Sequence, residues 1–409
     1  MKSQAEMHKR IYYLMGAVAL IFSIIVVQLL NVQVVQAGNY SSRANSELRR
    51  TSVLLAPRGE ITDVNGIQLA KSVTAVTIVV DQTEISDPAL TAKITSPVLG
   101  IPENDLVQIY TGKLLYKKVV SDAKPEVWLA LQQTISDYNK KVLKEKGGIS
   151  KRIVGFFSER SYVRDYPTGK MAASLIGFIN QAGDGASGIE SSMNSQLKGT
   201  NGEYQYESGA GAIIPASADI KTTAKDGTSI RLTIDRDIQW VAQDAISTAV
   251  KSSHAISGTV IVMDPKTGAI LAQASAPTFD PADQKTISLA SIRNPAVQDV
   301  YEPGSTGKVI TVAAALEEKK TTPTQVFTIP YALKIGTNTF HDHEKHGTER
   351  LTTTGLLAIS SNTGAIQVGQ ELGAENLYKY LTKFGIGQST GSHLPGESPG
   401  ILHPISDWS

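Results

Sequence analysis

Between Ile11 and Leu30 the chain runs without a formal charge, with Leu14, Val18, Leu20, Ile21, Phe22, Ile24, Ile25, Val26 and Val27 among its apolar residues. About 20 such residues span a bilayer as a helix, so residues 11–30 are predicted to form a transmembrane helix. Lys2, Lys9 and Arg10 precede it and no charge follows it before Arg43, which by the positive-inside rule leaves residues 1–10 as a cytoplasmic tail and puts the bulk of the chain outside. Val35-Gln36-Ala37 resembles a signal-peptidase site. The apolar stretch is nonetheless longer than the roughly 7 to 15 residues of a cleaved signal, and an uncleaved anchor is expected.

Beyond the anchor the periodicity changes several times. The polar residues from Tyr40 to Leu54 recur on a helix-compatible spacing, whereas Arg58 to Val80 alternates with period two. Asn65-Gly66 between Glu60-Ile61 and Ile67-Gln68-Leu69 is a hairpin signal. Residues 88–150 read as mostly helical with charged outer faces, and 151–218 as short strands between Gly-rich loops. Arg160, Arg164 and Tyr166 are expected to gather around Glu190 in a structural ion-pair cluster. Then come a strand at Ile230–Ile234, a helix at Ile238–Val250 with Val241, Ala245, Ile246 and Ala249 on one face, two apolar runs at 259–263 and 269–274, and a helix at Val309–Glu318. Helices interleaved with antiparallel hairpins predict an α+β fold.

Composition narrows the picture modestly. With 409 residues, two or three domains are expected. A net charge of +1, from 39 basic and 38 acidic residues, gives no ground for a nucleic-acid or polyanion partner. Cysteine is absent, which excludes disulfides and thiol chemistry.

The candidate chemistry sits at Tyr301-Glu302-Pro303-Gly304-Ser305-Thr306-Gly307-Lys308 and at Ser360-Ser361-Asn362. A serine hydroxyl needs a neighbouring base to act as a nucleophile, and a lysine one helical turn on can serve once it loses its proton. Glu302-Pro303-Gly304 reads as a turn that places Ser305 at the start of a helix, where free N–H groups favour developing negative charge. Ser-x-x-Lys alone is a weak signal. It recurs at Ser121–Lys124 and Ser195–Lys198, and Ser-x-Asn recurs at Ser192–Asn194. Only Ser305 and Ser360 combine both motifs in order with a Gly-rich turn opening an alanine-rich helix.

These motifs, with segments along most of the chain, resemble the class B penicillin-binding proteins of bacterial cell-wall synthesis. Arg58-Gly59-Glu60-Ile61, Tyr166-Pro167, the run Gly185 to Glu190 and the run Leu197 to Gly202 resemble boxes of that family's pedestal. Thr233-Ile234-Asp235 with Gln239, and Met263 to Ala272, resemble the entry to its transpeptidase domain. The resemblance implies a pedestal over 31–222 of the family's dimerisation type and, over 223–409, a transpeptidase domain of the penicillin-binding and serine β-lactamase-like fold.

The family's third motif, Lys-Thr-Gly or a variant, follows Ser-x-Asn on a strand lining the site. The literal Lys266-Thr267-Gly268 precedes the nucleophile and joins two apolar runs, so it is assigned to a hairpin turn. The third motif is then expected beyond residue 409, with the C-terminal part of the catalytic domain missing. Residues 1–409 alone are expected not to be acylated by penicillin, since loss of one oxyanion donor costs about 100 to 1,000 fold in a well-studied protease.

The resemblance also implies roles. Ser305 would attack the penultimate D-alanine carbonyl of a stem peptide, Lys308 would take its proton, Ser360 would relay a proton to the departing amine and Asn362 would hold the substrate amide. β-Lactams are the implied inhibitors. No glycosyltransferase module is visible before Ser305, so a membrane polymerase and other division proteins are implied partners, with a septal role ahead of an elongation role. No cofactor or metal is expected. His341-Asp342-His343-Glu344-Lys345-His346 has zinc-ligand residue types, but acylation needs no metal and the stretch is read as a polar loop at the rim of the site. Rival readings are a D,D-carboxypeptidase or β-lactamase using water as acceptor, a β-lactam sensor and a non-catalytic division scaffold.

Overall fold

The computed structural model describes residues 2–36, 38, 49–145, 147–209, 212–213, 219–283, 285 and 287–408. The chain divides into two compact units. The first comprises Met1–Gly59, Ser72–Val163 and Lys198–Thr228, and the second Glu60–Lys71, Arg164–Leu197 and Ser229–Ser409.

The first unit begins with helix α1 (Lys2–Leu30), which continues into a π-helical turn at Asn31–Val35. The stretch Tyr13–Val34 is long and apolar enough to cross a membrane, and none of it is buried against protein. The helix expected over Tyr40–Leu54 is corrected in part. Arg49–Leu54 is strand β1, paired antiparallel with β6 (Gly202–Gly209) from Arg49↔Glu207 to Leu54↔Gly202, while 40–48 lies outside the described residues. Thr51 and Val53 are β-branched and the partner ladder satisfies their backbone, so pairing overrides a local helical spacing. Strands β7 (Ala212–Ile213) and β8 (Asp219–Thr222) extend β6.

The later part of β3 (Gln68–Val80) pairs with β4 (Lys117–Ala123), and β5 (Phe156–Asp165) also pairs with β3. Helices α2 (Pro88–Leu99), α3 (Glu103–Tyr110) and α4 (Pro125–Val142) belong to the same unit, and their residues enclose a core with Ile78, Val80, Leu106, Tyr110 and Leu131. The predicted helical region is thus three helices interrupted by β4. Val119 and Val120 make that interruption, and Ser121 of the stray Ser-x-x-Lys is exposed on the strand.

In the second unit, β2 (Ile61–Thr62) and the start of β3 form the predicted Asn-Gly hairpin, with Ile61 opposite Ala70. Asp63 organises the turn by accepting from Asn65 N–H (2.8 Å) and Ile67 N–H (2.7 Å). Strand β9 (Ile230–Arg231) runs parallel to β2 and is shorter than the predicted 230–234. Ile61, Leu69, Tyr166, Ile176, Ile189, Leu197 and Ile234 share one core. The expected strands and loops of 151–218 include short helical turns at Ala173–Ile176, Gly188–Ser192 and Asn194–Leu197, too brief to show a helical period. Ser195, in the second stray motif, is exposed on the last of them. Of the cluster placed around Glu190, Arg164 pairs with it at 2.7 Å and Tyr166 accepts from Ile179 N–H, whereas Arg160 is exposed on β5.

Helix α5 (Arg236–Ser253) is capped by Asp235, whose carboxylate accepts from the N–H groups of Asp237 and Ile238. Buried Gln239 exchanges two hydrogen bonds with the backbone of Gln273 (2.7 and 3.0 Å), fixing α5 to strand β11 (Ile270–Ala276). β11 pairs with β10 (Gly258–Met263). The loop between them contains Lys266-Thr267-Gly268, held by Asp264, which accepts from Lys266 N–H (2.9 Å) and Thr267 Oγ1 (2.7 Å). The hairpin assignment therefore holds.

The rest of the unit places the two motifs. Helices α6 (Gly307–Glu317), α7 (Asn362–Leu372) and α8 (Ala374–Lys383) surround Val312, Ala314, Val368, Leu372 and Tyr380. They share this core with Ile329 of β12 (Val326–Ile329) and Leu356 of a short helix at Thr353–Ala358. The hairpin of β13 (Ala332–Ile335) and β14 (Asn338–His341) follows β12, and β15 (Glu349–Thr352) pairs back on β12. Both units mix helices with antiparallel strands, an α+β architecture.

Candidate active site

Ser305 lies in a 3-10 turn, Gly304–Thr306, that runs directly into α6. Gly304 has φ of 59°, a left-handed conformation that a side chain would strain, and this reversal brings the chain from Pro303 into the helix. Ser305 is exposed, and among the described residues its hydroxyl has no hydrogen-bond partner. One turn on, partly buried Lys308 is aimed at the other motif. Its Nζ donates to the carbonyl oxygen of Ser360 and to Ser360 Oγ (3.1 Å).

Ser360 has φ of 58°, unusual for a residue with a side chain. Such strain persists where surrounding bonds over-determine the backbone. Ser360 N–H donates to Leu357 O (3.1 Å) and Ser361 N–H to Leu356 O (2.9 Å). Ser361 then caps α7 by accepting from Gly364 N–H (2.9 Å). Asn362 Nδ2 donates to His341 O (2.8 Å). Lys308 and Asn362 line one cavity of about 710 Å³ with Phe340, Ile366, Leu377 and Trp408, and Gly304 and Gly307, which flank Ser305, line it too. The structure thus joins Lys308 to Ser360 directly and places Asn362 on the same cavity. Ser305 lies in the chain between the lining residues Gly304 and Gly307, and among the described residues it makes no bond to Lys308.

Burial pushes the Lys308 ammonium below the usual lysine value, although the Asp342 charge opposes the shift. Asp342 was absent from the sequence-predicted set. The segment read there as a polar rim loop carries in it a buried carboxylate that receives Asn362 N–H, Thr363 N–H (2.9 Å), Ser361 Oγ (2.8 Å) and Thr363 Oγ1 (3.3 Å). Burial raises the Asp342 pKa, but these bonds and the one with His346 outweigh it and hold the carboxyl below its ordinary value. Nothing in the spacing marks a residue 20 positions before Asn362 as its partner. Among the described residues no three His, Asp or Glu side chains come together as metal ligands.

His346 Nε2 lies 3.1 Å from Asp342 Oδ2, and its pKa is raised, first by the Gly347 carbonyl and then by Asp342. A histidine that holds its proton more tightly when folded contributes stability that is complete below its ordinary value and is lost as pH rises through the folded one. His346→Gln is therefore expected to flatten the fall of the unfolding midpoint above about pH 6.5. Calorimetric scans from acid to mildly alkaline pH would show it. An unchanged slope would contradict the pairing.

Residues 258–409 match the penicillin binding protein transpeptidase domain, and residues 53–232 the penicillin-binding protein dimerisation domain. The peptidoglycan D,D-transpeptidase FtsI of Buchnera aphidicola is 30% identical over 404 residues, which cover 96% of this chain and 67% of that protein. The chain belongs to the class B penicillin-binding proteins. Penicillin-binding protein PbpB of Mycolicibacterium smegmatis is 34% identical over 405 residues, 96% of this chain and 62% of the relative. Among solved structures, penicillin binding protein 3 of Mycobacterium tuberculosis complexed with aztreonam superposes with a TM-score of 0.61 at 28% identity, covering 88% of this chain and 59% of that one. The chain spans about three fifths of the length of that PbpB relative.

Proposed function

We propose that this penicillin-binding protein is a peptidoglycan D,D-transpeptidase acting in cell division, with Ser305 as nucleophile. The contact of Lys308 with Ser360 beside the helix-opening Ser305 carries the reading. The names of the relatives and the β-lactam held by the mycobacterial neighbour support it. Lys308, its proton loosened by burial, accepts the proton of Ser305 Oγ as that oxygen attacks the penultimate D-alanine carbonyl. The tetrahedral oxyanion gathers at the 3-10 turn that opens α6, where the helix dipole favours negative charge. Terminal D-alanine leaves with a proton relayed from Lys308 through Ser360, among the described residues the one hydroxyl bonded to that ammonium. Asn362 presents its amide to the bound peptide, and an amine from a second stem resolves the ester, forming the cross-link and regenerating Ser305.

In this reading residues 31–222 are the pedestal and 223–409 the transpeptidase domain. The helix α1 anchors the protein in the bacterial cell membrane, with residues 1–10 in the cytoplasm and the bulk outside. The partners are peptidoglycan stem peptides, β-lactams, a membrane glycosyltransferase and other division proteins. The deciding experiment supplies the full-length gene product with a lipid-linked pentapeptide substrate and a glycan polymerase. Transpeptidation yields cross-linked muropeptide dimers together with free D-alanine in equal amount. Free D-alanine without dimers would make it a hydrolase, and neither product would favour the scaffold.

A further inference from the structure

We propose that Asp342 is a positioning residue for acyl transfer, whose carboxylate fixes the Ser360–Asn362 turn from behind and so sets how Ser360 meets Lys308 and how Asn362 is held on the cavity it shares with Lys308. The inference rests on the acyl-transfer reading of this site. It starts from the distribution of partners over one carboxylate. Oδ1 receives the N–H groups of Asn362 and Thr363, and Oδ2 receives Ser361 Oγ and Thr363 Oγ1 and faces His346 Nε2. Every residue from Ser361 to Thr363 is thereby tied to Asp342. Ser360, immediately before them, keeps its left-handed backbone and turns both its carbonyl oxygen and its hydroxyl toward Lys308.

The carrier of Asp342 is itself held. Asp342 N–H donates to Tyr331 O (3.1 Å), and the preceding residue, His341, accepts from the Asn362 side chain. The Tyr331 ring packs against both His341 and His346, at 5.2 and 5.9 Å between centroids. The second motif is therefore clamped between α7 and the segment after β14, with Asp342 as the charged pin. A carboxylate suits this position because all of its protein contacts here are with donors. An amide has one acceptor oxygen, so its NH2 would face either the two backbone N–H groups or the Ser361 and Thr363 hydroxyls with His346 Nε2, and an alanine would leave the α7 N-terminus with unsatisfied donors.

The same carboxylate has a second effect, through charge. Lys308 of α6 feels Asp342, which favours its ammonium, while His346 contacts the carboxylate and itself feels Glu349. Removing the charge while keeping the shape should release the Lys308 proton more readily even as the turn loosens. A purely structural residue would not move the titration of the base.

The test uses Asp342→Asn in the full-length gene product. The rate of acylation by a fluorescent penicillin is expected to fall on the order of 10- to 100-fold, the scale of a small misplacement of catalytic groups. The alkaline-rising limb of its pH profile should move to lower pH. Ser361→Ala, which removes one donor to Asp342 and the acceptor for Gly364 N–H but no charge, should slow acylation without moving the limb, and it serves if Asp342→Asn fails to fold. In parallel, NMR follows the Lys308 titration and the exchange of the Asn362 and Thr363 amides, neither of which requires acylation. Faster exchange in both variants, with a lowered Lys308 titration in Asp342→Asn alone, supports the proposal even if the wild type is never labelled at Ser305, a result that would sink only the acyl-transfer reading. Unchanged amide exchange and an unchanged Lys308 titration would overturn it.

Discussion

Ser305→Ala in the full-length gene product is expected to abolish covalent labelling by fluorescent penicillin while leaving the fold intact. Alanine offers no oxygen to form the ester, so the loss is complete. Stability should be nearly untouched, because Ser305 is exposed and, among the described residues, its hydroxyl has no partner to lose. Lys308→Arg sharpens the test. A guanidinium keeps the positive charge and can still donate to the Ser360 carbonyl, but it stays protonated and cannot accept a proton from Ser305. Loss of a positioned base is worth about 100 to 10,000 fold, so acylation should fall by that range in the variant. In the wild type the rate should rise with pH through a limb lying below the ordinary lysine value of 10.5, because burial lowers the Lys308 pKa. Stopped-flow acylation with a chromogenic β-lactam across pH measures both. A Lys308→Arg protein that reacts at the wild-type rate would remove lysine from the role of base.

Much of the site was legible because local chemistry dictates it. A Gly-rich turn followed by an alanine-rich run can only open a helix, and Ser305 and Lys308 sit where that logic puts them. Lys266-Thr267-Gly268 could be set aside for the same reason, since two short apolar runs around a turn form a hairpin. Asp342 was hidden because its partners are backbone N–H groups 20 and 21 residues further along, and such donors leave no trace in residue type. The histidines beside it drew attention to metal ligation, while the carboxylate between them serves the helix N-terminus. Strand β1 was misread as helix for a comparable reason. Its partner β6 lies some 150 residues on, and a polar spacing that suits a helix also suits a strand on which Thr51 and Val53 are exposed. Short-range rules placed the motifs, and long-range pairing supplied what holds them.

Arg164→Met should destabilise the protein by about 3–5 kcal/mol, the cost of breaking a buried ion pair by removing one member. Arg164 Nε meets Glu190 Oε1 at 2.7 Å, and the two side chains are 2% and 0% exposed, so water cannot replace the lost guanidinium. A side chain on Gly185 would meet the Glu190 carbonyl oxygen at 1.8 Å, so the chain packs closely against the backbone of the glutamate. Methionine fills much of the arginine volume and isolates the electrostatic loss from a packing loss. The double variant Arg164→Met/Glu190→Leu separates the two further. Replacing a whole buried pair with apolar residues is often neutral or stabilising, so the second substitution should recover a large part of the first loss. Urea unfolding of the four proteins of this cycle gives the coupling between the residues. A loss within about 0.5 kcal/mol for Arg164→Met, the range of an ordinary surface change, would show that the pair does not carry the core it sits in.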